Sequence, residues 1–365
     1  MSECFDQMSH QHQLSHLESV ARRALPAWGI EQDATVSLLS LSENATWMVK
    51  PEDNSSGFKP GQPLIMRVHR TGYHSLNAIR TELAWMSALQ ADAGVITPKA
   101  IPAASGELIH CIETPSLNEQ RFVELFEFIE GEAPDETHLI EPFSRLGKVT
   151  AQLHQHAMYW QRPEYFERLV WDFDGCLGEN KLWGDWRAGP GLTVQDIALL
   201  ERAEEKIEKR LMAYGCEPER FGLIHADLRL ANLLEVGGET RVIDFDDAGL
   251  GWFLYDLASA VSFIETRKDL PELVDAWLRG YLTERPLLAA DVAMIPTFIM
   301  LRRMTLLAWI GSHSETDLAK QQGKRFTQGT KDLAEQYLAD SFLVDASALE
   351  PMVLRNQTMA VAEAV

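Results

Sequence analysis

The sequence of 365 residues has few of the features that mark several large classes of protein. Its only cysteines are Cys4, Cys111, Cys176 and Cys216, and no two of them form a C-x-x-C pair. Neither a zinc site nor a disulfide framework is therefore predicted. The polar, acidic first residues lack the apolar core of a signal peptide. We expect a reducing, cytoplasmic setting.

Basic residues are also scarce, with 33 Lys and Arg against 54 Asp and Glu and a formal net charge of -21. Binding to phosphate backbones or anionic lipids needs Lys and Arg, so neither nucleic acid nor a membrane is expected as a partner. A cationic small molecule would suit an acidic protein. Acidity that serves only to keep the protein soluble is the simpler explanation.

The sequence also lacks a long apolar run without charges. The most apolar stretch, residues 294–310, contains Arg302 and Arg303. Two arginines at its centre favour a buried amphipathic helix over a membrane span.

Patterns that are present divide the chain into two parts. Strand-like segments with one inserted helix occupy the first part, and the segment Gly131-Glu132-Ala133-Pro134-Asp135 then breaks the pattern. Beyond it most segments have helical spacing. The sequence predicts an α+β fold with a β-rich domain at residues 1–130 and a larger, mainly helical domain at residues 131–365.

One motif places polar side chains at a spacing that suggests a catalytic site. His225, Asp227 and Asn232 form the pattern H-x-D-x-x-x-x-N, and Asp244 follows twelve positions later behind a short apolar run. The pair Gly237-Gly238 between them predicts a hairpin, which would bring the second Asp back to the first. A carboxylate that orients a hydroxyl, with an amide and a carboxylate to hold Mg²⁺, suits phosphoryl transfer.

The order of this and several weaker motifs resembles the aminoglycoside phosphotransferase and choline kinase-like family, over about residues 37–309. The pieces are Ser42-Glu43-Asn44-Ala45-Thr46, Leu64-Ile65-Met66-Arg67-Val68, Arg80-Thr81-Glu82-Leu83, the linker Phe126-Glu127-Phe128-Ile129-Glu130-Gly131, the helix Leu146 to His154, the two central motifs and Tyr255-Asp256-Leu257-Ala258. The resemblance implies a bilobal protein-kinase-like fold, in which a small β-rich N-lobe binds nucleotide and a helical C-lobe carries catalysis and binds the acceptor.

The resemblance also implies roles for the central residues. Asp227 matches the catalytic Asp that accepts or orients the proton of the substrate hydroxyl. Asn232 and Asp244 match the magnesium ligands, and ATP with Mg²⁺ is the expected cofactor pair. His225 matches a structural His of the catalytic loop. Asp256 matches an Asp that supports the backbone of this loop, although it could equally be a helix N-cap.

Three further residues are assigned to the phosphates. Arg229 could neutralise the transferring phosphoryl group, or it could be a solvated loop residue. Arg67 lies where protein kinases have their nucleotide-binding Lys, and Glu82 lies where the partner Glu follows. This pair would hold the phosphates of the nucleotide, or it could be an ordinary salt bridge.

The remaining nucleotide contacts come from loops. No G-x-G-x-x-G covers the phosphates, so polar groups such as the Asn44 amide would have to serve. The backbone at Glu127 and Ile129 would meet the adenine edge as a kinase hinge does. Phe126 and Phe128 are expected in the core.

The acceptor would meet a segment rich in aromatic and charged residues. The candidates are Trp183, Trp186, Trp252, Asp246 and Asp247, because aromatic faces and carboxylates suit a protonated amine. The alternative is that these tryptophans close the core under a long loop.

Together these observations predict an ATP- and Mg²⁺-dependent phosphotransferase that acts on a hydroxyl of a small, amine-bearing metabolite. Homoserine, hydroxylysine, choline and an aminoglycoside are the candidate acceptors. Two alternatives remain open. One is an atypical Ser/Thr protein kinase of the same fold, and the other is a non-catalytic, nucleotide-binding pseudokinase.

Overall fold

A computed structural model of the chain describes residues 5–42, 44–52, 57–115 and 117–343. Cys4 lies outside the described residues, as does Glu43 of the segment Ser42-Glu43-Asn44-Ala45-Thr46. The chain divides into two compact units. Of the described residues, the first unit holds those up to Ala88, Thr97–Glu130 and Arg162–Glu167, and the second holds Leu89–Ile96, Gly131–Gln161 and those from Arg168 onward. Relative to a single boundary after residue 130, Leu89–Ile96 and Arg162–Glu167 belong to the other unit.

The first unit is built on one five-stranded antiparallel sheet with the order β1-β2-β3-β5-β4. Its strands are β1 (Thr35–Leu41), β2 (Ala45–Lys50), β3 (Leu64–Val68), β4 (Ile109–Thr114) and β5 (Glu119–Glu127), and its helices are α1 (His10–Ala24) and α2 (Leu76–Ala88). Alternate residues of β2, namely Ala45, Trp47 and Val49, are buried, as a strand with one face on a core requires.

The core of this unit lies between the sheet and α1. Leu17, Val20 and Ala21 of α1 belong to the same buried cluster as Met66 of β3 and Leu125 of β5. Residues 98–102 form no regular strand, although Ala100 makes an isolated bridge to Phe126 of β5.

The second unit is mainly helical. Its helices are α3 (Ile140–Tyr159), α4 (Phe173–Cys176), α5 (Val194–Tyr214), α6 (Tyr255–Ala260), α7 (Leu270–Tyr281), α8 (Ala289–Val292), α9 (Ile295–Ser312) and α10 (Asp317–Leu338). Its strands are β6 (Leu169–Trp171), β7 (Phe221–Ile224), β8 (Leu233–Val236), β9 (Glu239–Val242) and β10 (Gly249–Trp252). In the small three-stranded sheet, β10 lies between β6 and β7. The α+β class is as predicted.

The predicted hairpin between Asn232 and Asp244 is confirmed. Strands β8 and β9 pair in antiparallel register, with Val236 opposite Glu239. Gly237 and Gly238 have φ of 59° and 86°, and a two-residue hairpin turn of type I′ requires positive φ at both positions. The hairpin returns the chain so that the Ile243 N–H donates to the carbonyl of Asn232 at 3.0 Å.

Helix α9 accounts for the most apolar stretch of the sequence. Pro296 lies in its first turn, where the missing N–H costs nothing. Within the described residues, one segment, Ala289–Ser312, has the length and composition to cross a membrane, but 83% of its most apolar window is buried inside the protein. The helix is buried around its whole circumference, Arg302 and Arg303 included, so the prediction of an amphipathic helix is wrong.

Candidate active site

The H-x-D-x-x-x-x-N motif lies on the loop that follows β7. A single turn of 3-10 helix, Leu230–Asn232, leads from this loop into β8. Two residues of the region, Ala226 and Asp244, have positive φ angles of 67° and 65°. This conformation costs a non-glycine residue roughly 1–2 kcal/mol, so the surrounding contacts must hold both residues in place.

The Asp256 carboxylate supplies part of that support. Its Oδ2 accepts the backbone N–H of His225 at 3.1 Å and the Nε2 of His154 at 2.9 Å, and its Oδ1 accepts the N–H of Ala226 at 2.7 Å. One turn further along α6, the Ser259 hydroxyl accepts the N–H of Leu228 at 2.9 Å. Helix α6 thus binds three N–H groups of the loop that would otherwise be buried without partners.

The ring of His225 is used within the same loop. Its Nε2 donates to the carbonyl of Ile243 at 3.1 Å, while its Nδ1 accepts the N–H of Asp227 at 3.3 Å. The ring also packs on Phe245, with centroids 4.5 Å apart. These contacts tie the loop to the residues around Asp244 and leave His225 poorly placed for proton transfer.

The Asp227 side chain accepts three hydrogen bonds. Its Oδ2 accepts Arg229 Nε at 3.0 Å and Asn232 Nδ2 at 2.7 Å, and its Oδ1 accepts Arg302 Nη2 at 2.6 Å. Burial by itself would raise the pKa of Asp227, but the positive charges of Arg229 and Arg302 outweigh it and lower the pKa. The carboxylate is therefore held ionised and oriented.

Arg302 also contacts Asp227, although it lies outside the H-x-D-x-x-x-x-N motif. This residue lies in the middle of α9, 75 positions after Asp227, and only 1% of it is exposed. A signal was present in the sequence, because a charge inside an apolar run must find a buried partner. Sequence reasoning took the two arginines only as an argument against a membrane span and so missed this contact.

Asn232 and Asp244 are suitable donors for a hard cation. The Asn232 amide nitrogen donates to Asp227, so its amide oxygen is the atom available for a metal. Asp244 is exposed, and its charge raises the pKa of Arg229 along with the larger contribution of Asp227, so it lies in the same neighbourhood. Mg²⁺ needs only one or two protein ligands beside phosphate oxygens. Across residues 5–42, 44–52, 57–115 and 117–343, no cluster of three or more His, Cys, Asp or Glu side chains forms an alternative metal site.

In the first unit, Arg67 and Glu82 are in contact as predicted from their positions. Arg67 Nη2 lies 2.7 Å from Glu82 Oε1. A second buried carboxylate, Glu124 of β5, accepts Arg67 Nε at 2.8 Å and Nη2 at 2.6 Å, and His69 Nε2 is 2.9 Å from the same oxygen. The sequence contained no signal for Glu124, because it lies 57 positions from Arg67 on a different strand.

The groups of Asn44 and Glu127 that were expected to contact the nucleotide already make hydrogen bonds within the first unit. Asn44 is buried, and its side-chain oxygen accepts the N–H of Arg70 at 3.1 Å. The N–H of Glu127 donates to the carbonyl of Lys99 at 2.9 Å, and Ile129 follows β5 in irregular structure. Phe126 is buried as predicted, but Phe128 is 39% exposed, so its assignment to the core is wrong.

The three candidate tryptophans lie in different surroundings. Trp186 is fully buried and donates to Glu204 at 3.2 Å, and Trp252 donates to the carbonyl of Gly215 at 2.8 Å. Both are parts of the core. Trp183 is also buried, at 6% exposed, and its ring lies 4.9 Å from the guanidinium of Arg302.

The two candidate aspartates, Asp246 and Asp247, follow Asp244 in a turn whose backbone carbonyls accept hydrogen bonds from other parts of the unit. The carbonyl of Asp246 accepts Arg168 Nη2, and the carbonyl of Asp247 accepts the indole N–H of Trp171 at 2.7 Å. Asp246 is 5% exposed. Against the effect of burial, the charge of Asp247, like that of Asp227, raises the pKa of Arg302. The structure thus places Asp247, Arg302 and Asp227 in one neighbourhood.

Comparisons with known proteins identify a matching family and similar structures. The model of the phosphotransferase enzyme family matches residues 36–290. A microcompartment-associated aminopropanol kinase of known structure is 41% identical, with a TM-score of 0.80, and the alignment covers 89% of this chain and 98% of that one.

Two amicoumacin kinases are more distant. The one from Bacillus subtilis (strain 168) is 24% identical over 86% of this chain and 90% of its own length. The structure of the kinase hAmiN, in complex with AMP-PNP, Ca²⁺ and Ami, has a TM-score of 0.71 at 21% identity over 89% of this chain and 96% of that one. The structural similarity to the aminopropanol kinase and to hAmiN over most of the chain confirms the kinase-like fold expected from the resemblance.

Proposed function

The chain belongs to the phosphotransferase enzyme family and is a kinase of small-molecule hydroxyl groups, and we propose that it transfers the γ-phosphoryl group of ATP to a short amino alcohol with Mg²⁺ as the metal. An amino alcohol is proposed as the acceptor because the chain is similar to an aminopropanol kinase over nearly the whole of both chains. The aminopropanol kinase and the amicoumacin kinases are named for small-molecule acceptors, which supports a small acceptor over a protein.

Asp227 is proposed to receive the hydroxyl of the acceptor. A carboxylate has about four lone-pair sites, and Arg229, Asn232 and Arg302 take three of them. Among the described residues, this leaves one site on Oδ1 for a hydroxyl. Because its pKa is lowered, Asp227 is a weak base. It would orient the hydroxyl oxygen toward the γ-phosphorus and take the proton late, as the bond to the leaving ADP oxygen breaks.

Arg229 and the metal ligands are proposed to meet the transferring phosphoryl group. The Arg229 side chain is 29% exposed and is held by Asp227, so its remaining guanidinium donors can reach a phosphate oxygen. Asn232 and Asp244 would hold Mg²⁺, which when bound neutralises charge on the nucleotide phosphates. In the first unit, we assign Arg67 to the phosphates, oriented by Glu82 and Glu124.

The amine of the acceptor is proposed to meet carboxylates rather than tryptophan. The ring of Trp183 already stacks on Arg302, while Trp186 and Trp252 belong to the core. Asp247 lies in the neighbourhood of Arg302 and Asp227, and Asp246 precedes it. An ion pair with a substrate ammonium is the contact that such carboxylates can provide.

The test is a panel of acceptors given to the purified chain with ATP and Mg²⁺. The panel holds 1-amino-2-propanol, ethanolamine, choline, homoserine, hydroxylysine and an aminoglycoside, with 1,2-propanediol as the control that lacks the amine. We expect kcat/KM for 1-amino-2-propanol to exceed that for 1,2-propanediol about 100-fold, the worth of one charged hydrogen bond. Equal values would show that the amine is not recognised.

The catalytic assignment is tested with Asp227→Asn. This change keeps the size of the side chain and removes the charge, so kcat should fall roughly 10³-fold. EDTA should abolish transfer, and added Mg²⁺ should restore it. Near-wild-type kcat for Asp227→Asn would contradict the mechanism, whichever acceptor is used.

A further inference from the structure

Arg302 is a buried cation whose three kinds of donor atom reach three different groups. Nε donates to the Ser262 hydroxyl at 3.2 Å, Nη1 donates to the Tyr255 hydroxyl at 3.4 Å, and Nη2 donates to Asp227 Oδ1 at 2.6 Å. A planar guanidinium held at three corners cannot rotate without breaking a bond. Its contact with Asp227 therefore has a fixed direction.

Trp183 limits the remaining freedom of this guanidinium. The Trp183 ring lies 4.9 Å from the Arg302 guanidinium, and Trp171 packs edge-on against the Trp183 ring with centroids 4.9 Å apart. The backbone carbonyl of Trp183 accepts the hydroxyl of Ser312, at the end of α9, at 2.8 Å. Trp183 is thus bound to α9 both through its ring and through its backbone.

The direction of the Arg302 contact matters for Asp227. Arg229 and Asn232 both bind Oδ2, whereas Arg302 binds Oδ1, the oxygen with a lone pair left for a hydroxyl. Without Arg302, Arg229 and Asn232 would hold the carboxylate through Oδ2 alone, and the direction of the lone pair on Oδ1 would be less tightly fixed. An error of about 1 Å in such a position can cost on the order of 100-fold in rate.

We propose that Trp183 and Arg302 are positioning residues that together orient the Asp227 carboxylate, and that Trp183 acts through Arg302 rather than by contact with the acceptor. This inference rests on the proposed role of Asp227. It gives Trp183, in the aromatic segment before the catalytic loop, a role other than recognition of the acceptor's amine.

The test compares Arg302→Lys with Arg303→Lys. Arg303 is the next residue of α9 and is equally buried, but it binds Glu265 at 2.6 Å and stacks on Phe326. Lysine keeps the charge and loses the planar fork at both positions. Arg302→Lys should lower kcat at least about 10-fold with KM for ATP and acceptor changed less than about 3-fold, whereas Arg303→Lys should leave kcat near wild type. Equal reductions of kcat in the two variants would overturn the proposal.

Trp183 provides a second pair that avoids any change of charge. Trp183→Phe keeps an aromatic face for Arg302 and should retain most of kcat, while Trp183→Leu should lower kcat with little change in KM for the acceptor. A rise in that KM with unchanged kcat would show that Trp183 contacts the acceptor, and would overturn the proposal.

The kinetic tests of Arg302 and Trp183 do not depend on which acceptor is correct. The kinetics use whichever panel member wild type phosphorylates, so a wrong acceptor class leaves this comparison intact. Urea unfolding of Arg302→Lys, Asp227→Asn and the double variant tests the contact without activity. We expect the midpoint shift of the double variant to be smaller than the sum of the single shifts, and additive shifts would overturn the proposal.

Discussion

The Asp256 carboxylate binds the backbone of Ala226 directly, with Oδ1 accepting its N–H at 2.7 Å. Ala226 has a φ of 67° and is fully buried, so its strained conformation depends on this contact. The side chain that follows it is Asp227. The orientation of the proposed catalytic carboxylate therefore depends on a fully buried residue of α6.

The first prediction concerns Asp256→Asn. An Asn at this position has one acceptor oxygen for the three donors of His225, Ala226 and His154, and its NH₂ group would face another donor. We expect the free energy of unfolding to fall by about 1–3 kcal/mol, measured by urea denaturation. We also expect kcat to fall more than KM rises.

Asp332→Asn is the control, because Asp332 is an exposed residue of α10. It should leave both quantities near wild type. Wild-type kcat in a destabilised Asp256→Asn protein would show that the loop keeps its geometry without the carboxylate.

The sequence predicted those parts of the site that follow from local patterns. The spacing of His225, Asp227 and Asn232 and the glycine pair of the β8–β9 hairpin are such patterns, and the hairpin formed as expected. Burial around α9 was predicted, although on one face only. The contacts of Arg302 and Glu124 join residues 75 and 57 positions apart on different elements, and no period or spacing encodes them. The tryptophans show the same limit, since composition alone could not separate core from site.

The second prediction concerns pH and His154. Burial lowers the pKa of His154 despite its hydrogen bond to Asp256, and Tyr281 contacts its other ring nitrogen. Above about pH 6.5 the ring is neutral in both the folded and the unfolded state and contributes nothing. Below it, the unfolded chain binds a proton that the folded protein resists, so the free energy of unfolding falls as pH falls, by at most about 1.4 kcal/mol per pH unit.

The measurement is urea denaturation between pH 5 and 7.5. His154→Gln cannot bind this proton, so its stability should depend less steeply on pH than that of wild type, although it is lower throughout. His12→Gln is the control, since His12 is an exposed residue of α1. An unchanged slope for His154→Gln would mean that other groups carry the dependence.

The third prediction compares the two carboxylates on Arg67. Glu124 is fully buried and accepts both Nε and Nη2 of Arg67, and Glu82 accepts Nη2. Glu124→Gln should lower the free energy of unfolding by about 1–3 kcal/mol, at least as much as Glu82→Gln. Both should raise KM for ATP if Arg67 contacts the phosphates. Glu113 of β4, an exposed residue of the same unit, offers the control Glu113→Gln. An unchanged KM for ATP in both variants would assign the network to stability alone.

The fourth prediction separates the core tryptophans from the acceptor. Trp252 packs edge-on against Phe221, with centroids 5.4 Å apart, and Trp186 lies under the Arg187 guanidinium at 4.2 Å. Trp252→Ala should lower the free energy of unfolding by about 3–5 kcal/mol, because removal of a large buried side chain leaves a cavity. Trp252→Phe and Trp186→Phe each remove one indole hydrogen bond and should cost about 1–3 kcal/mol.

The kinetics of the two Phe variants decide between core and site. KM for the acceptor should stay within about 3-fold of wild type in both, because a core indole does not touch the substrate, and a 3-fold change corresponds to less than about 1 kcal/mol of binding. An indole stacked on a substrate ammonium would contribute more than that when desolvated. A tenfold rise in this KM with unchanged stability would place the affected tryptophan in the acceptor site and would contradict its assignment to the core.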